Sequence, residues 1–358
     1  MRRGILLLVC CWQSALWSQE ASSGFELRTT ISAATFYTDQ LAAAPRLSST
    51  STGGFRSILY PTWKLNEHWT VSGAIQVRSR PYFYEEFSTQ GYGVRADILQ
   101  AHLSYARLWR DRSVIIRVGQ LSSVFGSFLL RYDDADNPLI DIPMTYGYYY
   151  KGVTNYGLAG AQIETTLGRL DARAQFVNSS PANRRSIFDH DQYGNWAGGV
   201  GYTIGQGFRV GVSAYRGPYL HRQYAFYRPG EAKPRDLPGS AYGIDGQWAR
   251  GHWNLHGELQ RFQMTYKARP TVNRHMAYAE VRRVLKPRWY VATRIGYLRS
   301  PFDKRESYDV GVGFRLNAFQ LVKVAYQIQQ TPTIGRRTYN TLAVQFVTTF
   351  RPISIARD

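Results

Sequence analysis

The chain of 358 residues carries 44 Lys and Arg against 25 Asp and Glu, a net charge of +19, with 15% aromatic residues and two cysteines. A mean hydropathy of −0.36, with no apolar run of about 18 residues or more, excludes a bundle of membrane-spanning helices. Aromatics at this frequency exclude a wholly disordered chain, and no recognition helix, zinc spacing or compact basic module points to nucleic acid.

Residues 1–21 read as a secretory signal peptide: Arg2 and Arg3, an apolar stretch from Ile5 through Trp12, then the small residues Ala15, Ser18 and Ala21. Both cysteines, Cys10 and Cys11, fall inside it, so residues 22–358 have no disulfide to draw on. The basic excess belongs to those residues and is mostly arginine, since only seven Lys are present.

From residue 24 onward, hydrophobicity alternates with a period of two in segments of about ten residues. Trp69, Val71, Gly73, Ile75 and Val77 alternate with Thr70, Ser72, Ala74, Gln76 and Arg78, and Tyr308, Val310, Val312 and Phe314 with Asp309, Gly311, Gly313 and Arg315. The pattern predicts strands over 25–37, 55–65, 69–80, 96–109, 113–121, 157–167, 169–178, 195–204, 207–215, 241–249, 252–263, 275–285, 288–299, 306–316, 319–329 and 338–350, sixteen in all. Short turns at 66–68, 110–112, 168, 205–206, 250–251, 286–287 and 317–318 alternate with longer connections, the longest being 122–156.

Strict alternation of short and long connections is the layout of an all-β, transmembrane antiparallel β-barrel of the bacterial outer membrane. Only a closed sheet satisfies every backbone group in hydrocarbon. A soluble sandwich also alternates, but it explains neither the two classes of connection nor the tryptophans Trp63, Trp69, Trp109, Trp196, Trp248, Trp253 and Trp289, expected beside the short turns as an interfacial girdle. The last strand places Leu342, Val344, Phe346, Thr348 and Phe350 on one face, leaving 351–358 as a tail beyond the barrel.

With sixteen strands the chain resembles a bacterial porin. Arg117-Val118-Gly119-Gln120 followed by Phe125-Gly126 resembles an element of the phosphate-selective (O/P-type) porin superfamily, with Val124 where members commonly carry proline. The resemblance implies a passive diffusion channel for small hydrophilic, anionic solutes, assembled as a homotrimer, with a third external loop that folds into the barrel. Residues 122–156 suit such a constriction loop: Phe125, Phe128, Leu129 and Leu130 for apolar anchoring, then Asp133, Asp134, Asp136 and Asp141, then Tyr146, Tyr148 and Lys151. The same acidic run also reads as a solvated turn, or as clustered oxygens for calcium without the glycine and distal Glu of an EF-hand.

On the polar faces of the strands, Arg78, Arg117, Arg173, Arg294 and Arg315 are the expected pore-lining and selectivity residues, because guanidinium groups favour anions such as phosphate or carboxylate. Pairing with Glu164, Asp171, Glu258 or Asp309 on neighbouring strands is the competing reading. Loop cations including Arg184, Arg185, Arg222 and Arg228 suit contact with outer-membrane lipids and lipopolysaccharide. His102, Ser104, His252 and His256 lie in no catalytic motif, and no metal-ligand or cofactor cluster stands out, so the reading is not an enzyme.

Overall fold

The computed structural model describes residues 23–42, 50–87, 93–146, 156–178, 194–219, 232, 236–267, 270–331 and 337–357; residues 1–21, expected to be a signal peptide, lie outside them. The strands are β1 (Ser23–Thr38), β2 (Ser51–Lys64), β3 (Trp69–Arg80), β4 (Gly93–Leu108), β5 (Arg112–Leu121), β6 (Leu158–Leu167), β7 (Leu170–Val177) and β8 (Asn195–Gly205). They continue with β9 (Phe208–Pro218), β10 (Pro238–Arg250), β11 (Trp253–Met264), β12 (Val272–Lys286), β13 (Trp289–Arg299), β14 (Lys304–Arg315), β15 (Gln320–Thr331) and β16 (Arg337–Arg357). Each pairs antiparallel with its neighbours in chain order, and β1 pairs with β16, closing the barrel. Closure leaves no edge along the wall, which is what allows the sheet to stand in lipid.

The two-residue period decides which side chains face out. On β13, Tyr290, Ala292, Arg294 and Leu298 are buried on the inner side, whereas Ile295 is 56% exposed on the outer one. Around the wall, Val71, Ile116, Val118, Val200, Val212, Ile244, Leu259, Val310 and Val344 are likewise exposed. An apolar belt of this extent on a closed barrel with a polar interior is the lipid-facing surface of a membrane-spanning protein.

Trp63, Trp69, Trp109, Trp253 and Trp289 stand exposed beside the short turns, and Trp248 is half-exposed there, forming the girdle. Trp196 departs from the expectation. It begins β8 at the long-connection end, opposite Phe176 and Arg216, and belongs to the other rim.

The tail is also corrected. Strand β16 does not end at Phe350 but runs to Arg357, pairing Ile353 with Leu27, Ser354 with Glu26 and Arg357 with Ser23 across an irregularity between Leu27 and Thr29. Arg351 reaches Glu26 at 3.1 Å. The extension needs an N-terminal partner more than 300 residues away in sequence, which no local pattern reveals.

Candidate functional site

Residues 122–146 cross the interior of the barrel and are fastened to the wall at four places. At the first, Gln175 on β7 donates to the Ser122 carbonyl (2.7 Å) and Arg173 to that of Gly126 (2.6 Å). At the second, the Glu258 carboxylate on β11 accepts from the Ser127 amide and hydroxyl (3.1 and 2.7 Å), from the Tyr278 hydroxyl (2.8 Å) and from Tyr146. At the third, Arg131 pairs with Glu280 on β12, which also holds Arg294. Arg294 in turn donates to the carbonyl of Asp141 (2.7 Å) and to Asn137 (3.0 Å).

The fourth anchor is on the far side of the lumen. Asp134 accepts from Arg56 on β2 (2.8 Å), from Tyr82 (2.8 Å) and from Ser32 on β1. Asp133 accepts from Thr30 (2.9 Å) and Tyr60 (2.6 Å). Lys323 on β15 donates to the backbone carbonyls of Asp134, Asn137 and Leu139 at 2.6, 2.9 and 3.1 Å. Burial pushes the Asp134 carboxyl up, but the Arg56 and Lys323 charges outweigh it and hold the group below its usual range. Burial and the nearby Glu258 charge push the Tyr146 hydroxyl well above its usual value, so it remains a donor.

A second connection joins the first. Residues 81–87 bend inward, and Glu86, fully buried, takes a two-pronged pair from Arg78 at 2.6 and 2.8 Å. Tyr82, Tyr84 and Phe87 pack around Phe36 with ring centroids 5.2 to 6.2 Å apart. Phe128, Leu139, Ile140 and Tyr146 continue this cluster from the 122–146 segment.

Two glycines explain the local run Arg117-Val118-Gly119-Gln120 and Phe125-Gly126. At Gly119 (φ 135°) a Cβ would lie 2.4 Å from the Ala101 carbonyl oxygen, so the wall of β5 closes on β4 only without a side chain. At Gly126 (φ 75°) a Cβ would fall 2.1 Å from the Tyr146 hydroxyl, just where the segment turns into the lumen.

The expected site residues therefore divide. Arg78 and Arg294 are 4% and 2% exposed and do not line water; both serve as anchors, because each meets a buried carboxylate. Asp133, Asp134 and Asp141 are buried too, which removes the solvated turn, and hydroxyl and guanidinium donors occupy the carboxylates of the first two. No group of acidic, His or Cys side chains that could hold a metal ion occurs among the described residues. Leu130 is half exposed, so it does not anchor, unlike Phe125 and Phe128. Tyr148 and Lys151 lie outside the described residues.

Arg117, half-buried, pairs with Glu164 at 2.8 Å beside His102, while Arg209 bridges Asp171 (2.6 Å) and Asp245 (3.0 Å). By contrast Arg173, Arg282 and Arg315 face the lumen half-exposed and form no ion pair among the described residues. Arg282 lies over the Tyr290 ring at 4.8 Å with Arg315 as an electrostatic neighbour, and exposed Asp136 approaches both from the segment. Of these, Arg56, Glu86, Arg131, Glu280, Arg282 and Lys323 were not singled out from sequence. The available signal was Lys323, a lone charge within Leu321-Val322-Lys323-Val324-Ala325.

No family model and no curated protein matches the sequence. Solved structures do match. An anion-selective porin from Comamonas acidovorans superposes with a TM-score of 0.60 at 12% identity, over 92% of this chain and 100% of that one. OprB of Pseudomonas putida gives 0.62 at 11% identity, over 92% and 94%. OmpT of Vibrio cholerae, an outer membrane protein in its trimer form, gives 0.58 at 8%, over 92% and 100%. This chain has the porin fold. At such identities the likeness extends to the barrel and its strand count, and the anchoring of 122–146 described above is a property of this chain's own residues.

Proposed function

We propose that the protein is a porin of the bacterial outer membrane, through which small anionic hydrophilic solutes bearing phosphate or carboxylate groups diffuse passively. The observation that carries this reading is the set of lumen-facing guanidinium groups that form no ion pair among the described residues, Arg173, Arg282 and Arg315, in a barrel whose other inner arginines are largely paired. Unpaired guanidinium in a narrowed, low-dielectric passage attracts anions and repels cations. Arg117 remains part of the selectivity set in this reading, balanced by Glu164. The Arg117–Gln120 and Phe125-Gly126 run supports kinship with O/P-type porins, and the trimer form of a protein with the same fold supports a homotrimer.

The test is the reversal potential of the purified barrel in a planar bilayer under a KCl gradient. Chloride preference is expected, and it should fall when Arg173, Arg282 and Arg315 are replaced together by glutamine. Cation preference in the unmodified protein would remove the anionic reading while leaving a porin. A second reading, a closed structural or adhesive barrel, is favoured by how far 81–87 and 122–146 fill the interior. Folded protein that never conducts would establish it.

A further inference from the structure

On the outer face of β11 to β14, near the long-connection end, four basic side chains stand side by side. The register sets Arg261 opposite His275, His275 opposite Arg299, and Arg299 opposite Lys304. Arg261, His275 and Arg299 are exposed. With strands about 4.8 Å apart, the row runs about 14 Å along the wall. Arg261 comes eight residues after Trp253 of the opposite girdle; at about 3.4 Å per residue and a tilt of about 45°, it stands about 20 Å higher, near the far edge of an apolar band about 25 Å tall. Tyr242 continues the row opposite Arg261 and is 63% exposed, an aromatic at headgroup level.

Arg299 and Lys304, directly opposite one another, repel, Arg261 stands one strand beyond His275, and little on this face offsets them. Among the outward residues of these four strands Glu306 alone is acidic, and it is engaged by Lys304 (2.9 Å) and Tyr308 (3.1 Å). Among the described residues Arg261 donates to the amide oxygen of Asn273, at 3.3 Å, and pairs with no carboxylate. Arg299 has no carboxylate partner among the described residues. The row lies at headgroup depth, faces away from the lumen and presents guanidinium forks that match phosphate geometry.

We propose that Arg261, His275, Arg299 and Lys304 form a binding site for the phosphate groups of an anionic lipid in the leaflet around the long-connection end. The site is separate from the lumen and rests only on the outward face being lipid-facing. Its occupant neutralises the row and seals the wall of β11 to β14 to the surrounding leaflet.

The experiment uses the folded full barrel in non-ionic detergent, incubated with lipopolysaccharide or with the same lipopolysaccharide after enzymatic dephosphorylation. Lipid retained through gel filtration is then counted by native mass spectrometry. The expected result is retention of the phosphorylated form alone, reduced about tenfold in the Arg261→Gln/Arg299→Gln variant and restored only in part in Arg261→Lys/Arg299→Lys, which keeps the charge but not the fork. Arg250→Gln/Arg283→Gln, which removes the same charge at the short-turn rim, should retain lipid as the parent does. Equal retention by the row variant and this control, or equal binding of dephosphorylated lipid, would overturn the proposal. Planar-bilayer conductance of the row variant, expected to be unchanged, tests the porin reading separately.

Discussion

Replacing Lys323 by methionine keeps the length of the side chain and deletes the ammonium that ties the lumen segment to β15. The native Nζ is buried and donates to the carbonyls of Asp134, Asn137 and Leu139. Each carbonyl left without a partner costs about 1 kcal/mol at the low end, so the docked segment loses about 3 kcal/mol. That is about 150-fold in the ratio of docked to released segment. Release relieves the cost, because the carbonyls then meet lumen water. Asp134 keeps Arg56, Tyr82 and Ser32, so its charge is not stranded. The wall is untouched, since residue 323 pairs with Gly313 and Gln345 through its backbone. Single-channel recording of Lys323→Met is expected to show excursions to higher conductance that the unmodified protein lacks. Folded Lys323→Met barrels with unchanged conductance and noise would refute the assignment of Lys323 as one of the fastenings of the segment.

Further outcomes follow from the same anchors. Asp134→Asn should loosen the segment only where the native carboxyl is charged. Because its folded value lies below 3.8, the contribution is fully present above that pH and is lost as pH falls through the depressed value. The conductance difference between Asp134→Asn and the parent should therefore persist down to pH 4 and fade only as pH falls through the depressed value; a difference already gone at pH 5 would contradict the charge network. Gly126→Ala forces a side chain into left-handed backbone at about 1–2 kcal/mol and against the Tyr146 hydroxyl. It should raise conductance noise without unfolding the barrel, as judged by heat-modifiable mobility on gels. Ending the chain at Phe350 removes the pairing of 353–357 with 23–27 and should lower the temperature at which the barrel unfolds, a shift absent if the extension carries no stability.

The barrel is legible along the chain alone: sixteen strands, their order, their faces and the two classes of connection. Each of those features is written within ten or so consecutive residues, because inside and outside alternate along a strand and a short turn leaves neighbours no alternative but to pair. Tertiary structure decided how the interior is used. Arg78 and Arg294 look the same in sequence as Arg173 and Arg315, being charges on polar faces. The first two are consumed by Glu86 and Glu280, the others are not, and the difference depends on where 81–87 and 122–146 settle. Lys323 meets Asp134 across 189 residues, and Arg294 meets Asn137 across 157. The tail finds β1 from the opposite end of the chain. Contacts of that range arise only when the ring has closed and brought distant strands around a common interior, so they leave no periodicity along the chain from which they could be read.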